Sequence, residues 1–366
     1  MNAPSPPSAL DYPWGTELPA PGRATQVAEG VYWLRMALPF ALDHINLWLL
    51  RDQLPDPHEP SRMREGWTVV DCGIDNPATR AAWGQVFEQA LQGLPILRVL
   101  VTHMHPDHMG LAHWLCAHWQ APLWMNTTEY QSALLACSGA SNFGGDKTQA
   151  FFAAHGWTSP EDMAQVRDRV GYYSGMVPQV PDAYHRLTDG QSVRIGLRQW
   201  RCISGLGHSP EHIALYAEED GLLVSGDMLL PSISTNVSVY SQEPDSNALQ
   251  WFLDSIERMA RIPDDCLVLP SHGRPFKGAK LRIKQLQEHH AERLDDLLRA
   301  CTGTARCAHE LLPVLFKREL NLHQTTFAMG EAIAHLHALW HAGQVRRQLD
   351  ADGIYRFQSS GTPKAD

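Results

Sequence analysis

Within six consecutive residues, His103-Met104-His105-Pro106-Asp107-His108, the chain sets four side chains able to ligate a metal ion. The run ends a short, mostly apolar stretch, residues 96–102, that reads as a strand. Ligands at a strand tip constrain the fold strongly. In sheets covered by helices, the edge formed by the C-terminal ends of the strands is where active sites collect. Imidazole and carboxylate together suit zinc, iron or manganese, and a close-spaced set of this size exceeds what one tetrahedral ion needs. Two ions are therefore expected. One loop cannot complete two coordination spheres, so the remaining ligands must arrive from other strand tips.

Three further tips carry candidates. Gly205-Leu206-Gly207-His208-Ser209-Pro210-Glu211-His212 follows the strand expected at 200–203, and its glycines permit close backbone approach. Ser225-Gly226-Asp227 follows residues 222–224, and Pro270-Ser271-His272-Gly273 follows residues 267–269. Asp71-Cys72-Gly73 ends another apolar run at 67–70. Strands are also expected at 31–38, 45–50, 192–195 and 213–217, and helices at 77–92 and 109–119. Residues 52–65, rich in proline and charge, read as an exposed loop. The order strand, polar tip, helix recurs in both halves, which is an α/β pattern.

A chain of 366 residues exceeds one ordinary domain, and its texture suggests where to divide it. Residues 1–24 are Pro-rich and aperiodic, an expected flexible arm. Residues 25–280 form the expected catalytic domain. Inside it, 126–185 reads as a helical, aromatic, lid-like insertion in which Ser159-Pro160 marks a helix start. Residues 281–366 hold the smaller domain: after a helix at 280–300 come helices at 304–316 and 325–341, then a hairpin of 345–349 and 354–357 around Asp352-Gly353. Three helices closed by a two-stranded ribbon make a winged-helix pattern. The last helix contains Glu331 and no Lys or Arg, which is poor for phosphate contacts. His337 and His341, one turn apart on it, read as a solvated face.

Composition narrows the partners. Lys+Arg number 30 against 40 Asp+Glu, a formal charge of −10 that opposes binding to phosphate backbones. Seven scattered cysteines without a C-x-x-C pair argue against a disulfide framework and a thiolate zinc site. The first residues lack a signal's apolar segment, and no apolar run approaches the ~18 residues of a membrane span. A cytoplasmic protein with a small-molecule substrate and no membrane or nucleic-acid partner is expected, with homodimerisation possible through the C-terminal domain.

Taken in order, H-x-H-x-D-H, G-H-S-P-x-H, S-G-D and S-H-G resemble the metallo-β-lactamase superfamily over about residues 25–275. The resemblance implies a four-layer αβ/βα sandwich with metals at one edge of two sheets. It implies that His103, His105 and His208 bind a first ion, that Asp107, His108 and His272 bind a second, and that Asp227 bridges them. Asp71 would orient the metal loop, and His212 the substrate or the His208 loop; His44 is expected at the mouth of the pocket. Having both Asp107 and His108, with Asp227, the chain is less similar to the antibiotic-hydrolysing members than to glyoxalase-II-type thioesterases, lactonases and ribonucleases of the superfamily. Its C-terminal region resembles the domain appended in the β-lactamase-like endoribonuclease branch. Glu211 departs from the small residue usual at its position.

The implied chemistry is hydrolysis of a thioester or ester by a hydroxide bridging two zinc ions, with manganese or iron as alternatives. Asp227 would hold the bridge, and Asp107 would orient water or relay a proton. The competing readings are a metal-dependent ribonuclease or phosphodiesterase, a lactonase, a mononuclear-iron persulfide dioxygenase, and a nucleic-acid-binding regulator. Substrate choice is expected to lie in the 126–185 insertion and the 38–44 loop.

Overall fold

The computed structural model describes residues 9–56, 58–139 and 143–361. The chain opens with an antiparallel meander of β1 (Thr25–Ala28), β2 (Val31–Ala37), β3 (His44–Pro55) and β4 (Met63–Val70). From there it turns to parallel crossovers. Helix α1 (Pro77–Gln89) leads to β5 (Ile96–Leu100), and α2 (Pro106–Met109) and α3 (Ala112–Trp119) lead to β6 (Leu123–Asn126). The longest crossover contains α4 (Thr127–Cys137), α5 (Gly145–Ala153) and α6 (Pro160–Asp168) and ends in β7 (Tyr184–Leu187). These strands make a seven-stranded sheet in sequence order, parallel from β4 onward. The expected insertion at 126–185 is thus the connection between two paired strands, β6 and β7, neither of which is legible as a strand in the sequence.

The second sheet is built from β8 (Ser192–Ile195), β9 (Arg198–Gly205), β10 (His212–Ala217) and β11 (Leu222–Gly226), followed by α7 (Ala248–Met259) and β12 (Leu267–Pro270). Its order is β12-β11-β10-β9-β8. Successive strand residues point to opposite faces, and this alternation fixes the layers. In β3, Ile45, Leu47 and Leu49 face the helices, whereas Trp48 and Leu50 face the other sheet. In β10, Ile213 and Leu215 meet them from across the sandwich, whereas Ala214 and Tyr216 join the second helical layer. Both faces of these strands are covered, which explains why they read as continuous apolar runs rather than alternating ones.

Half of the loop expected at 52–65 is instead strand, β3 and β4 staying paired out to Pro55 and Met63. Asp52, expected in an exposed loop, is buried and ion-paired to Arg98 at 2.6 Å. Its other oxygen accepts from Gly196 N–H in the second sheet's β8–β9 turn. Of the expected arm, residues 1–8 lie outside the described residues. From residue 9 the chain is docked: Asp11 pairs with Lys277, and the Arg274 guanidinium sits 4.4 Å from the Tyr12 ring.

Beyond the sandwich come α8 (Ala279–Ala300), α9 (Ala308–Leu315), α10 (Leu322–His341) and a hairpin of β13 (Val345–Leu349) and β14 (Tyr355–Ser359). They share one apolar core with α7 and the outer face of the second sheet. Six consecutive residues of α10, 332–337, are buried, so every side of that helix is covered. His337, expected on a solvated face, is among them; its Nδ1 bonds the Ser246 carbonyl at 3.1 Å. Among the described residues no helix is long and apolar enough to cross a membrane.

Candidate metal centre

All five tips meet at one edge of the sandwich. β4 delivers Asp71, β5 the 102–108 turn, the β9–β10 turn His208 and His212, β11 Asp227, and β12 His272. The sheets are stitched together there. Ile213 N–H donates to Thr102 O at 2.9 Å, Asn46 N–H donates to Ser271 O at 2.7 Å, and the Asn46 amide donates to Pro270 O and Gly273 O. Gly226 has φ +54, and a Cβ built on it would lie 2.0 Å from His212 Nε2. The glycine of S-G-D is therefore required so that His212 can pack beneath Asp227, whose backbone N–H it faces at 3.3 Å.

Three imidazole nitrogens converge: His103 Nε2 lies 2.9 Å from His105 Nδ1 and 3.2 Å from His208 Nε2, and the last two are 3.1 Å apart. Tetrahedral ligands at ~2.05 Å from zinc would stand about 3.3 Å apart, close to this triangle. Beside it, Asp107 Oδ2 lies 3.5 Å from His108 Nε2 and 3.3 Å from His272 Nε2. Asp227 faces both groups. Its Oδ2 is 3.3 Å from His208 Nε2, and its Oδ1 is 3.5 Å from both His108 and His272 Nε2. Among the described residues, His108 Nε2 and Asp227 Oδ1 are buried without a hydrogen-bond partner. Convergent, orphaned lone pairs are what divalent cations satisfy, and the donor set fits them.

The remaining ring nitrogens of four of these five histidines have partners. His108 Nδ1 bonds Asp71 Oδ2 at 2.8 Å, His208 Nδ1 bonds Asn236 O at 2.7 Å, and His272 Nδ1 bonds His44 O at 2.8 Å. Thr102 Oγ1 meets His103 Nδ1 at 3.0 Å and donates to Asp71. Such partners fix ring orientation and leave the opposite nitrogen to the ion. Asp71 holds φ 63, the left-handed region that bulky residues avoid, and its carboxylate also accepts from Thr102 N–H at 2.8 Å. The His44 ring does not line the cavity. Its Nε2 accepts from Gly273 N–H at 2.8 Å while Nδ1 pairs with Asp43 at 2.6 Å, so it braces the His272 turn.

Charge is divided unevenly across the cluster. Burial, with neighbouring imidazoles, holds His103 well below its ordinary pKa and takes His105 down to about 3. Burial acts the same way on His108 and His272, but carboxylates override it. Asp71, Asp107 and Asp227 push His108 well above the usual range, and Asp227 and Asp107 raise His272 to about 10. Against their own burial, Asp107 is held down to about 2 and Asp227 well below its ordinary value by those imidazoles.

The cluster opens into a cavity of about 560 Å³, with Asp107 among its lining residues. The expected walls are present, Phe40 from the 38–44 loop and Phe143, Tyr172 and Met176 from the crossover. A third wall was not expected. Arg318, His323, Phe327 and Glu331 of the C-terminal domain line the same cavity. Glu129 was also missed: fully buried in the first turn of α4, it accepts from both metal loops. Its only sequence signal, Asn126-Thr127-Thr128-Glu129, reads as a helix capping box. Glu211, the departure from pattern, accepts from Thr128 Oγ1 at 2.9 Å.

Residues 63–272 match the family described as Metallo-beta-lactamase superfamily, and residues 294–360 match Metallo-beta-lactamase-like, C-terminal domain. A crystal structure of a beta-lactamase domain protein from Burkholderia ambifaria is 49% identical, with TM-score 0.89, covering 96% of this chain and 98% of that one. A metallo-beta-lactamase family protein from Thermus thermophilus is 27% identical, with TM-score 0.72, over 91% of this chain and 100% of that one. The probable metallo-hydrolase YqjP of Bacillus subtilis is 22% identical over 89% of this chain and 97% of its own length. Acyl-coenzyme A thioesterase MBLAC2 of Gallus gallus is 24% identical over 70% of this chain and 82% of its own. With the candidate ligand tips of two sheets gathered at one edge and the family match spanning four strands of the first sheet and all five of the second, the chain belongs to the metallo-beta-lactamase superfamily.

Proposed function

We propose that this metal-dependent hydrolase cleaves a thioester or ester of a small molecule using two divalent ions, zinc being the occupant that best suits the donor set. His103, His105 and His208 would hold the first, Asp107, His108 and His272 the second, and Asp227 would stand between them. The observation carrying this reading is Asp227, whose two oxygens face different ligand groups at 3.3 and 3.5 Å. When bound, the ions supply water activated near neutral pH and Lewis-acid polarisation of a carbonyl. The chain does the rest. Asp107, with 19% of its side chain exposed, is placed to orient water or take up a proton. Phe40, Phe143, Met176 and Phe327 offer apolar walls for an acyl group.

A thioester is favoured over a nucleic acid for two reasons. The relative named a thioesterase aligns across most of the chain. In the C-terminal domain, α10, which would be the reading helix of a winged-helix arrangement, is buried and walls the cavity. The test is metal analysis of the isolated protein, together with thiol release from acyl-coenzyme A and acyl-glutathione. Two equivalents of zinc and released thiol are expected. One equivalent of iron, or cleavage of RNA without thiol release, would overturn the proposal.

A further inference from the structure

Glu129 lies outside the cavity and faces none of the candidate ligand atoms, yet it is fully buried and saturated by the two loops that carry the imidazole triangle. Its Oε2 accepts from Met104 N–H at 2.8 Å, between His103 and His105. Its Oε1 accepts from Ser209 Oγ–H and Glu211 N–H, each at 2.6 Å, immediately after His208. One loop belongs to the first sheet and the other to the second. The helix does not need this carboxylate, because Asn126 already caps α4 by accepting from Thr128 N–H. The three donors to Glu129 all lie beside the first ion's candidate ligands, whereas Asp71 reaches His108 directly and His103 through Thr102.

We propose that Glu129 is a positioning residue that clamps the 103–105 and 208–211 loops together and so sets the affinity of the first ion. The proposal rests on the ligand assignment under the proposed function. Its physical basis is that two of the three donors are backbone amides, so the carboxylate positions main chain and not merely side-chain rotamers. A buried, charge-assisted acceptor of three donors has no neutral equivalent here. Glutamine shows this. With its oxygen kept on Ser209 and Glu211, its NH2 opposes Met104 N–H; turned over, it opposes Glu211 N–H. Either way a donor faces a donor, and one loop must withdraw.

The experiment is a competition titration of zinc into the metal-free full chain against a chromophoric chelator, for wild type, Glu129→Gln, Ser209→Ala and Asp71→Asn, with melting curves of each metal-free protein. Wild type is expected to take up two equivalents; if it does not, the ligand assignment fails rather than the clamp. Glu129→Gln is expected to weaken one of the two equivalents by ~10- to 100-fold and spare the other. Asp71→Asn, which disturbs both His108 and the Thr102–His103 contact, is expected to weaken both equivalents, in contrast to the single equivalent lost in Glu129→Gln. Should Glu129→Gln not fold, Ser209→Ala, which removes one of the three bonds, is expected to weaken the same equivalent by a smaller factor. Unchanged affinity with only a lowered melting temperature, in whichever of these variants folds, overturns the proposal.

Discussion

Two imidazoles of the cluster, His108 and His272, are held as cations by the carboxylates they face when no metal is bound. Ligation requires their neutral form, so metal uptake near pH 7 should release protons and its apparent affinity should rise with pH. Paired titrations in buffers of different ionisation enthalpy count those protons; none released would contradict the assignment of these residues. The sign for stability is opposite. A folded-state value of about 10 for His272, above its unfolded ~6.5, stabilises the metal-free protein below pH ~6.5 and is lost as pH rises towards 10. The metal-free melting temperature should therefore fall between pH 7 and 10. Alanine at Gly226 would drive a Cβ into His212 at positive φ, destabilising the fold by ~1–3 kcal/mol and displacing Asp227. Calorimetry would read the loss. That the seven candidate ligands converge was legible because each sits at a strand end in a compact polar signature. Of the residues that tether them, Asp71 was singled out at its strand end, but the tethers from Asn236 and from the His44 main chain were not, because backbone carbonyls are supplied by any residue, and Glu129 is indistinguishable from a helix-capping glutamate.

Elements were legible where both faces are covered and failed where a long-range pair supplies the cover. Strands β3 and β4 read correctly near the core, where apolar residues run continuously, but their outer halves looked like a charged loop. The reason is Asp52. It accepts from Arg98 and Thr68, which lie on β5 and β4, and from Gly196 in the other sheet. Partners 46 residues apart cannot be paired by eye in one sequence. Arg98 also donates to Arg194 O, so the pair joins the sheets at a position where hydrophobic contact alone would have sufficed elsewhere. Replacing one member leaves the other charge buried and alone. Arg98→Met is expected to cost ~3–5 kcal/mol in denaturant unfolding. The double change Asp52→Asn with Arg98→Met should recover part of that loss; if the single variant melts like wild type, the pair contributes nothing to joining the sheets.

At the scale of the whole molecule, helices α8, α9 and α10 were legible from their periodicity, but where they dock was not, because docking depends on surfaces contributed by the 231–246 segment. There Val239 N–H reaches Gly330 O, and a Cβ on Gly330 would meet Ser238 Oγ at 2.5 Å. This close approach sets the neighbouring Glu331 against the cavity, where it accepts from the Asn236 amide at 3.3 Å. The Asn236 carbonyl in turn holds His208, so the C-terminal domain reaches the candidate metal centre through one residue. Burial pushes the Glu331 carboxyl up to about 7, with the Asn236 bond and more distant Arg293 opposing. The folded chain thus keeps a proton that the unfolded chain releases between about pH 4.5 and 7, and stability falls as pH rises through that window. In the cavity the same titration changes what a substrate meets: a neutral O–H donor below pH ~7, an anion above it. Glu331→Gln keeps the neutral donor at every pH. The expected result is a KM for acyl thioester close to wild type near pH 6. Above pH 7 the two should diverge, wild type rising while the variant stays flat, with kcat of the two remaining in step. Parallel KM profiles across pH 5.5–8.5 would show that this wall of the cavity does not sense the substrate.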